Sequence, residues 1–129
     1  KSGNQDVFSL LGFTKDPSIK LSPITLSNNN ILIGNTLHFE FDLISYANKT
    51  QNLVIDFAIH FMKANQKQRA KVFKLKTLLL NADERLTLKK KHSFKLINTR
   101  KYYPGAHRIE ILINGKSYGE QSFNLTQVT

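Results

Sequence analysis

Apolar and polar residues alternate with a period of two over most of this 129-residue chain, and that period rules against amphipathic helices as the main building element. In the stretch LHFEFDL, Leu37, Phe39, Phe41 and Leu43 alternate with His38, Glu40 and Asp42. In LVIDFAIHF, Leu53, Ile55, Phe57, Ile59 and Phe61 do the same, with Asp56 and His60 on the opposite side. Successive side chains of a strand point to opposite faces, so both stretches read as half-buried antiparallel strands. Further strands are expected at Ile19 to Leu26, Val72 to Leu80, Arg85 to Lys91, His107 to Ile113 and Ser117 to Leu125.

Turn signals separate these candidates: Ser27-Asn28-Asn29-Asn30, Gly34-Asn35, Ala47-Asn48-Lys49, Asn81-Ala82-Asp83-Glu84, Tyr103-Pro104-Gly105 and Asn114-Gly115. The last is the strongest, because Asn-Gly readily adopts the two positive φ angles of a type I′ turn, and it predicts a hairpin over 107–125. About seven strands with turns roughly every ten residues give an all-β fold, a two-sheet antiparallel β-sandwich of immunoglobulin or fibronectin type III style. A small barrel is the alternative. The domain division expected is an N-terminal linker or short helical turn over 1–16, including apolar Val7 to Phe13 and an extended Asp16-Pro17, then the sandwich over 17–126 and a tail over 127–129.

Composition narrows the function classes. The absence of cysteine excludes disulfides, thiolate zinc sites and cysteine nucleophiles, and is compatible with a reducing, cytoplasmic location. No apolar run approaches the ~20 residues that span a bilayer, so no membrane partner is expected. The first residues, KSGNQDVF, resemble neither a signal peptide nor a native start, and the chain reads as a fragment.

The net charge of +10 is uneven. Residues 63–108 hold fourteen Lys or Arg against Asp83 and Glu84, a balance of +12, and the remainder of the chain balances at −2. One contiguous third of the chain carries the whole excess, a distribution that generates a directional field and favours an anionic partner. The run HFMKANQKQRAKVFKLK alone supplies six cations and no acid.

Several pieces in order carry a family resemblance: SLLGF, IGNTLHFEFDL, LVIDFAIHFMKAN, KVFKLKTLLL, LTLKKKHSFK and TRKYYPGAHRIEILINGK. From about Ser9 to Leu125 they resemble the C-terminal immunoglobulin-like domain attached to bacterial HEAT-repeat proteins of the DNA alkylation repair type. Most specific as a set are KKHSFK, TRKYYPGAHR and the NG hairpin. After KAN the family pattern has Gly and Pro where this chain has Gln66-Lys-Gln-Arg-Ala70. The resemblance implies an accessory domain, since the family's catalytic residues lie in an α-helical solenoid that is not part of this sequence. It also implies a repair protein as the parent and, as partners, DNA and an upstream helical-repeat domain of the same chain.

The candidate nucleic-acid-binding residues are Lys63, Lys67, Arg69, Lys71, Lys74, Lys76, Lys89, Lys90, Lys91, Arg100, Lys101 and Arg108. Phe73, Leu75 and Leu79 are expected to face inward, leaving Lys74 and Lys76 outward. Lysines and arginines converging from strand ends and loops would track phosphates without a sequence code. Their competing explanation is a solvated face partly paired with Asp56 and Glu110. Tyr102 and Tyr103, beside Arg100 and Lys101, could stack a base, but a Tyr before Pro-Gly fits a corner or core role better.

No catalytic constellation is evident. His38, His60, His92 and His107 have no metal-ligand spacing, and His38 and His60 could meet only as exposed strand residues. Glu40 and Asp42 share a face but have no evident pocket. GxSxG, GxxxxGKS and GxGxxG motifs are absent, and no cofactor, metal or small-molecule substrate is expected. Besides phosphate contact, two other functions fit a sandwich. One is a module docking a helical-repeat domain. The other is a carbohydrate-binding domain, for which neither an aromatic platform nor an acidic calcium loop is recognisable.

Overall fold

The computed structural model describes residues 11–97 and 101–127. Among them are nine strands: β1 (Ile19–Leu21), β2 (Thr25–Leu26), β3 (Asn30–Leu32), β4 (Thr36–Ser45), β5 (Gln51–Met62), β6 (Gln68–Leu80), β7 (Arg85–Ser93), β8 (Gly105–Ile113) and β9 (Lys116–Thr126). They form an all-β sandwich. One sheet centres on β4, with β7 along one edge and the short β1 and β2 sharing the other. The second sheet has the order β3-β9-β8-β5-β6 and is antiparallel except for the parallel β3–β9 pair.

The core follows from the period-two pattern. Leu37, Phe39, Phe41 and Leu43 of β4 face Leu53, Ile55, Phe57 and Ile59 of β5, with Ile109, Ile111 and Ile113 of β8 alongside, all buried. Phe39 and Phe57 meet edge to face across the sheets at 5.2 Å. Burying a side chain of this size contributes roughly 1.5–3 kcal/mol, so these rows set both the register and the sheet pairing.

The hairpin read from Asn114-Gly115 is present as β8–β9, with φ of 48° and 83° at the two turn residues. Asn114 does more than turn the chain. Its buried side chain accepts a hydrogen bond from the Val54 amide at 2.8 Å and donates to the Thr14 carbonyl at 2.7 Å. Thr14 also takes part in a reciprocal pair with Asn52, and so the lead-in is stitched to the start of β5.

Four sequence expectations differ from the structure. The single strand expected over 19–26 is two strands, because Pro23 has no amide hydrogen to donate and Ser22 turns inward to bond Asp42. An unexpected short strand, β3, begins at the last residue of the asparagine turn and is held by its parallel ladder to β9. Asp16 is not extended but has φ of 48°. Finally, β6 carries a bulge: Ile55 pairs with Lys76 and Asp56 with Lys74, so Leu75 has no partner of its own. The bulge shifts the phase of β6, so that Leu78 and Leu80 turn inward and Leu79, expected inward, is 64% exposed. Lys76 is exposed as expected, although the shifted register sets it opposite Ile55. Within 1–16, residues 1–10 lie outside the described residues, as do the last two of the tail.

Candidate nucleic-acid interface

At the pole of the sandwich where β5 turns into β6, the chain makes a tight reversal. The Lys63 amide donates to the Lys67 carbonyl at 2.8 Å, and Gln66 takes a left-handed φ of 68°. Past this turn β6 runs along the free edge of the five-stranded sheet. Cross-strand partners share a face, so Arg69, opposite Phe61, and Lys71, opposite Ile59, occupy core-facing positions. Both are exposed, since the core does not extend beneath the end of this edge.

The segment leading into β8 closes the other side. Lys63, Arg69, Ala70 and Lys71, with Phe61 and Met62, line a cleft of about 460 Å³ together with Lys101, Tyr102 and Tyr103. No carboxylate lies among these residues. Lys101 rests 5.5 Å from the Tyr103 ring centre, and Lys71 the same distance from that of Phe73. Cations over aromatic faces in this way are stabilised without being neutralised.

Behind the cleft is an aromatic cluster. Tyr102 is buried, stacked on Phe61 at 6.1 Å and edge-on to Phe94 at 5.2 Å, so its expected core role holds. Tyr103 is half-buried at the cleft wall. His107, also buried, takes one tautomer: Nδ1–H donates to the Gly105 carbonyl at 3.0 Å, and Nε2 accepts from the Met62 amide at 3.3 Å. Burial holds the pKa of His107 below its ordinary value against the opposing effect of the Gly105 carbonyl. Gly105 is required here, because its φ is 132° and a Cβ would come within 3.3 Å of the Met62 methyl carbon.

The remaining candidates fall elsewhere. Lys67 is exposed in the turn beside the cleft. Lys74 and Arg108 lie on the outer face of the five-stranded sheet, among acids. Lys74 is opposite Asp56, whose carboxyl is raised by burial and pulled back by the Lys74 charge. Arg108 bonds Gln68 at 2.8 Å and approaches Glu120 at 3.5 Å. His60 Nε2 meets a Glu110 carboxylate oxygen at 2.9 Å. Burial raises the Glu110 pKa, but hydrogen bonds from Ser117 and His60 and the charges of His60 and Arg108 outweigh it, for a net lowering.

Lys89, Lys90 and Lys91 belong to the other sheet, along a shallow groove of about 420 Å³ lined also by Thr25, Ser27, His38, Phe39 and Glu40. Glu40 is directly opposite Lys89. Arg100 lies outside the described residues. Thus Lys63, Arg69, Lys71 and Lys101 come together, with Lys67 nearby, and the β7 lysines do not join them. His38 and His60 do not meet, being on different sheets, and His60 is half-buried rather than exposed. Asp42 is likewise engaged, its pKa lowered by hydrogen bonds from Thr87 and then Arg85. The sequence marks Gly105 only as a turn residue and gives Met62 and Ala70 no place in the site. The TRKYYPG motif was the available signal for Gly105, but nothing in the run itself marked Met62 or Ala70 as cleft wall.

Comparison with known proteins places the domain. Residues 20–127 match the family described as the C-terminal Ig-like domain of the uncharacterised protein YhaZ. The chain is 33% identical over 116 residues to YhaZ of Bacillus subtilis (strain 168), covering 90% of this chain and 32% of that protein. Among solved structures, the alkylpurine DNA glycosylase AlkC of Pseudomonas fluorescens, bound to DNA containing an abasic site analog, superposes with a TM-score of 0.91 at 32% identity, over 96% of this chain and 34% of that one. A β-glucosidase from Listeria innocua in complex with glucose has a TM-score of 0.71 at 14% identity over 88% of this chain and 16% of its own, a likeness of fold alone. The chain spans about a third of the length of YhaZ and of AlkC. It belongs to the family of C-terminal immunoglobulin-like domains typified by that of YhaZ, the domain type to which its sequence resemblance pointed.

Proposed function

We propose that this domain is a non-catalytic accessory module of a cytoplasmic DNA alkylation repair protein, and that it meets nucleic-acid phosphates through the cations at its cleft pole without reading sequence. The observation that carries the reading is the cleft itself, where Lys63, Arg69, Lys71 and Lys101 converge with no carboxylate among the lining residues. Such a concentration of uncompensated charge attracts a polyanion and is not needed for folding. The likeness to a glycosylase captured on DNA supports the repair setting. Any glycosylase activity would reside in the remainder of the parent protein.

Fluorescence anisotropy of a labelled duplex titrated with the chain tests this. If the four cations each neutralise one phosphate, log affinity falls against log salt with a slope near −3.6, at about 0.9 per phosphate. That slope corresponds to a loss of about 150-fold between 50 and 200 mM salt. Absence of binding to duplex and single strand at low salt overturns the proposal.

The β7 lysines favour a second role. Lys89, Lys90 and Lys91 lie on a different sheet from the cleft, and the chain covers only a third of its relatives. That separate surface suits docking of an upstream helical-repeat domain with an acidic face. Association with the excised neighbouring domain that weakens when the three lysines are replaced by glutamine supports it, and association unchanged by the replacement refutes it.

A further inference from the structure

We infer that the cleft takes one unpaired nucleotide of a strand, its base against the aromatic wall and its phosphates at the cationic rim. The inference rests on the phosphate-contact reading above and adds a ligand chemistry to it. Phosphates of a duplex are met on an open surface and require no cavity. Here the cations surround a recess of about 460 Å³, the size range of small-molecule sites, and Phe61, Met62 and Tyr103 supply apolar wall. A duplex is too wide to enter such a recess, whereas a single splayed base with its phosphate matches both its volume and its mixed lining.

The chemistry points the same way. An unstacked base presents a π-face that stacks on aromatic side chains and on cationic planes whatever its identity. Tyr103 is half-buried, so its ring is oriented by its surroundings before any ligand arrives, and Lys101 already sits over it. Arg69 and Lys71 stand on the core-facing side of an edge strand, positions that place their charges at the recess and not on the outer face. Recognition by face and charge would leave the site indifferent to sequence and selective for strand that is not base-paired.

The test uses the 129-residue chain, a ten-residue thymidine strand, a ten-base-pair duplex, and the same single strand carrying one 2-aminopurine. The single strand is expected to bind about tenfold more tightly than the duplex, and 2-aminopurine fluorescence to be quenched on binding. Tyr103→Ala should abolish that preference and the quenching while duplex affinity stays within twofold. Tyr103→Leu, which keeps the apolar bulk for folding, should do the same, and Tyr103→Phe should restore both. Equal affinity for single strand and duplex, or equal loss of both in Tyr103→Leu, overturns the inference and leaves phosphate contact standing. No binding to either probe overturns both.

Discussion

On the outer face of the five-stranded sheet, Lys74, His60 and Arg108 each stand beside a carboxylate: Asp56, Glu110 and Glu120 respectively. At the cleft pole, Lys63, Arg69, Lys71 and Lys101 stand beside aromatic rings and one another. The lysines and arginines on both faces come from the same basic third of the chain, and they differ in what the fold brings to them. The neutralising acids of the outer face come from β5, β8 and β9, two of them more than thirty residues away in sequence from Lys74. Charge counted along a segment is therefore a poor guide to the field it produces, and the compensation across strands decides it.

The comparison breaks most sharply if the cleft cations are removed. Replacing Lys63, Arg69, Lys71 and Lys101 by glutamine should lower duplex affinity by at least 100-fold at 50 mM salt and flatten the salt slope by about 3.6. The same change at Lys74 and Arg108 should cost less than about threefold, because those charges are already compensated. Equal losses in the two variants, measured by anisotropy, would erase the distinction between the faces.

A smaller effect separates floor from rim. Tyr102→Ala should cost about 3 kcal/mol in urea denaturation, since it empties a space packed by Phe61 and Phe94. The rim cations, being exposed, should cost well under 1 kcal/mol each.

Smaller again, and of opposite sign, are two changes on the outer face. Asp56 has a raised pKa, so the folded chain holds its proton more tightly than the unfolded one and its ionised form weakens the fold at neutral pH. Asp56→Asn should therefore be more stable than the parent at pH 7, with the advantage vanishing as pH falls below about 4. Glu110 has a lowered pKa and contributes stability above its unfolded value, lost as pH falls through the folded one. Glu110→Gln should be less stable at pH 7 and approach the parent in acid, which urea midpoints at pH 7 and pH 3 will register. The smallest effect expected is at the cleft turn, where Gln66→Gly relieves a left-handed residue and should raise stability by about 0.5 kcal/mol in the same assay.

The strands built on strict alternation, β4 and β5, and the Asn-Gly hairpin were legible because one periodic or turn signal specifies each of them. β3 was not, since its three residues are organised by a parallel partner more than ninety positions away. The bulge in β6 was hidden because KVFKLKTLLL satisfies either phase, and only pairing with β5 decides between them. The same blindness divided the candidate site. The basic segment 63–108 contained the cleft cations, but nothing local said that β6 and β7 enter different sheets, or that Arg69 and Lys71 stand on the core-facing side.

The tie from Asn114 to Thr14 and Val54 lies near the start of β5, and the cleft lies at its end, where Met62 is eight residues beyond Val54. At about 3.3 Å per residue the two are roughly 26 Å apart along one strand. Tension between a strand gripped at the cleft and an anchor at the lead-in would run parallel to β5. Ladder bonds perpendicular to that line, to β6 on one side and β8 on the other, would share the load together and not open one at a time. Loaded along that line, β5 would act as a tie whose flanking ladders are strained in parallel.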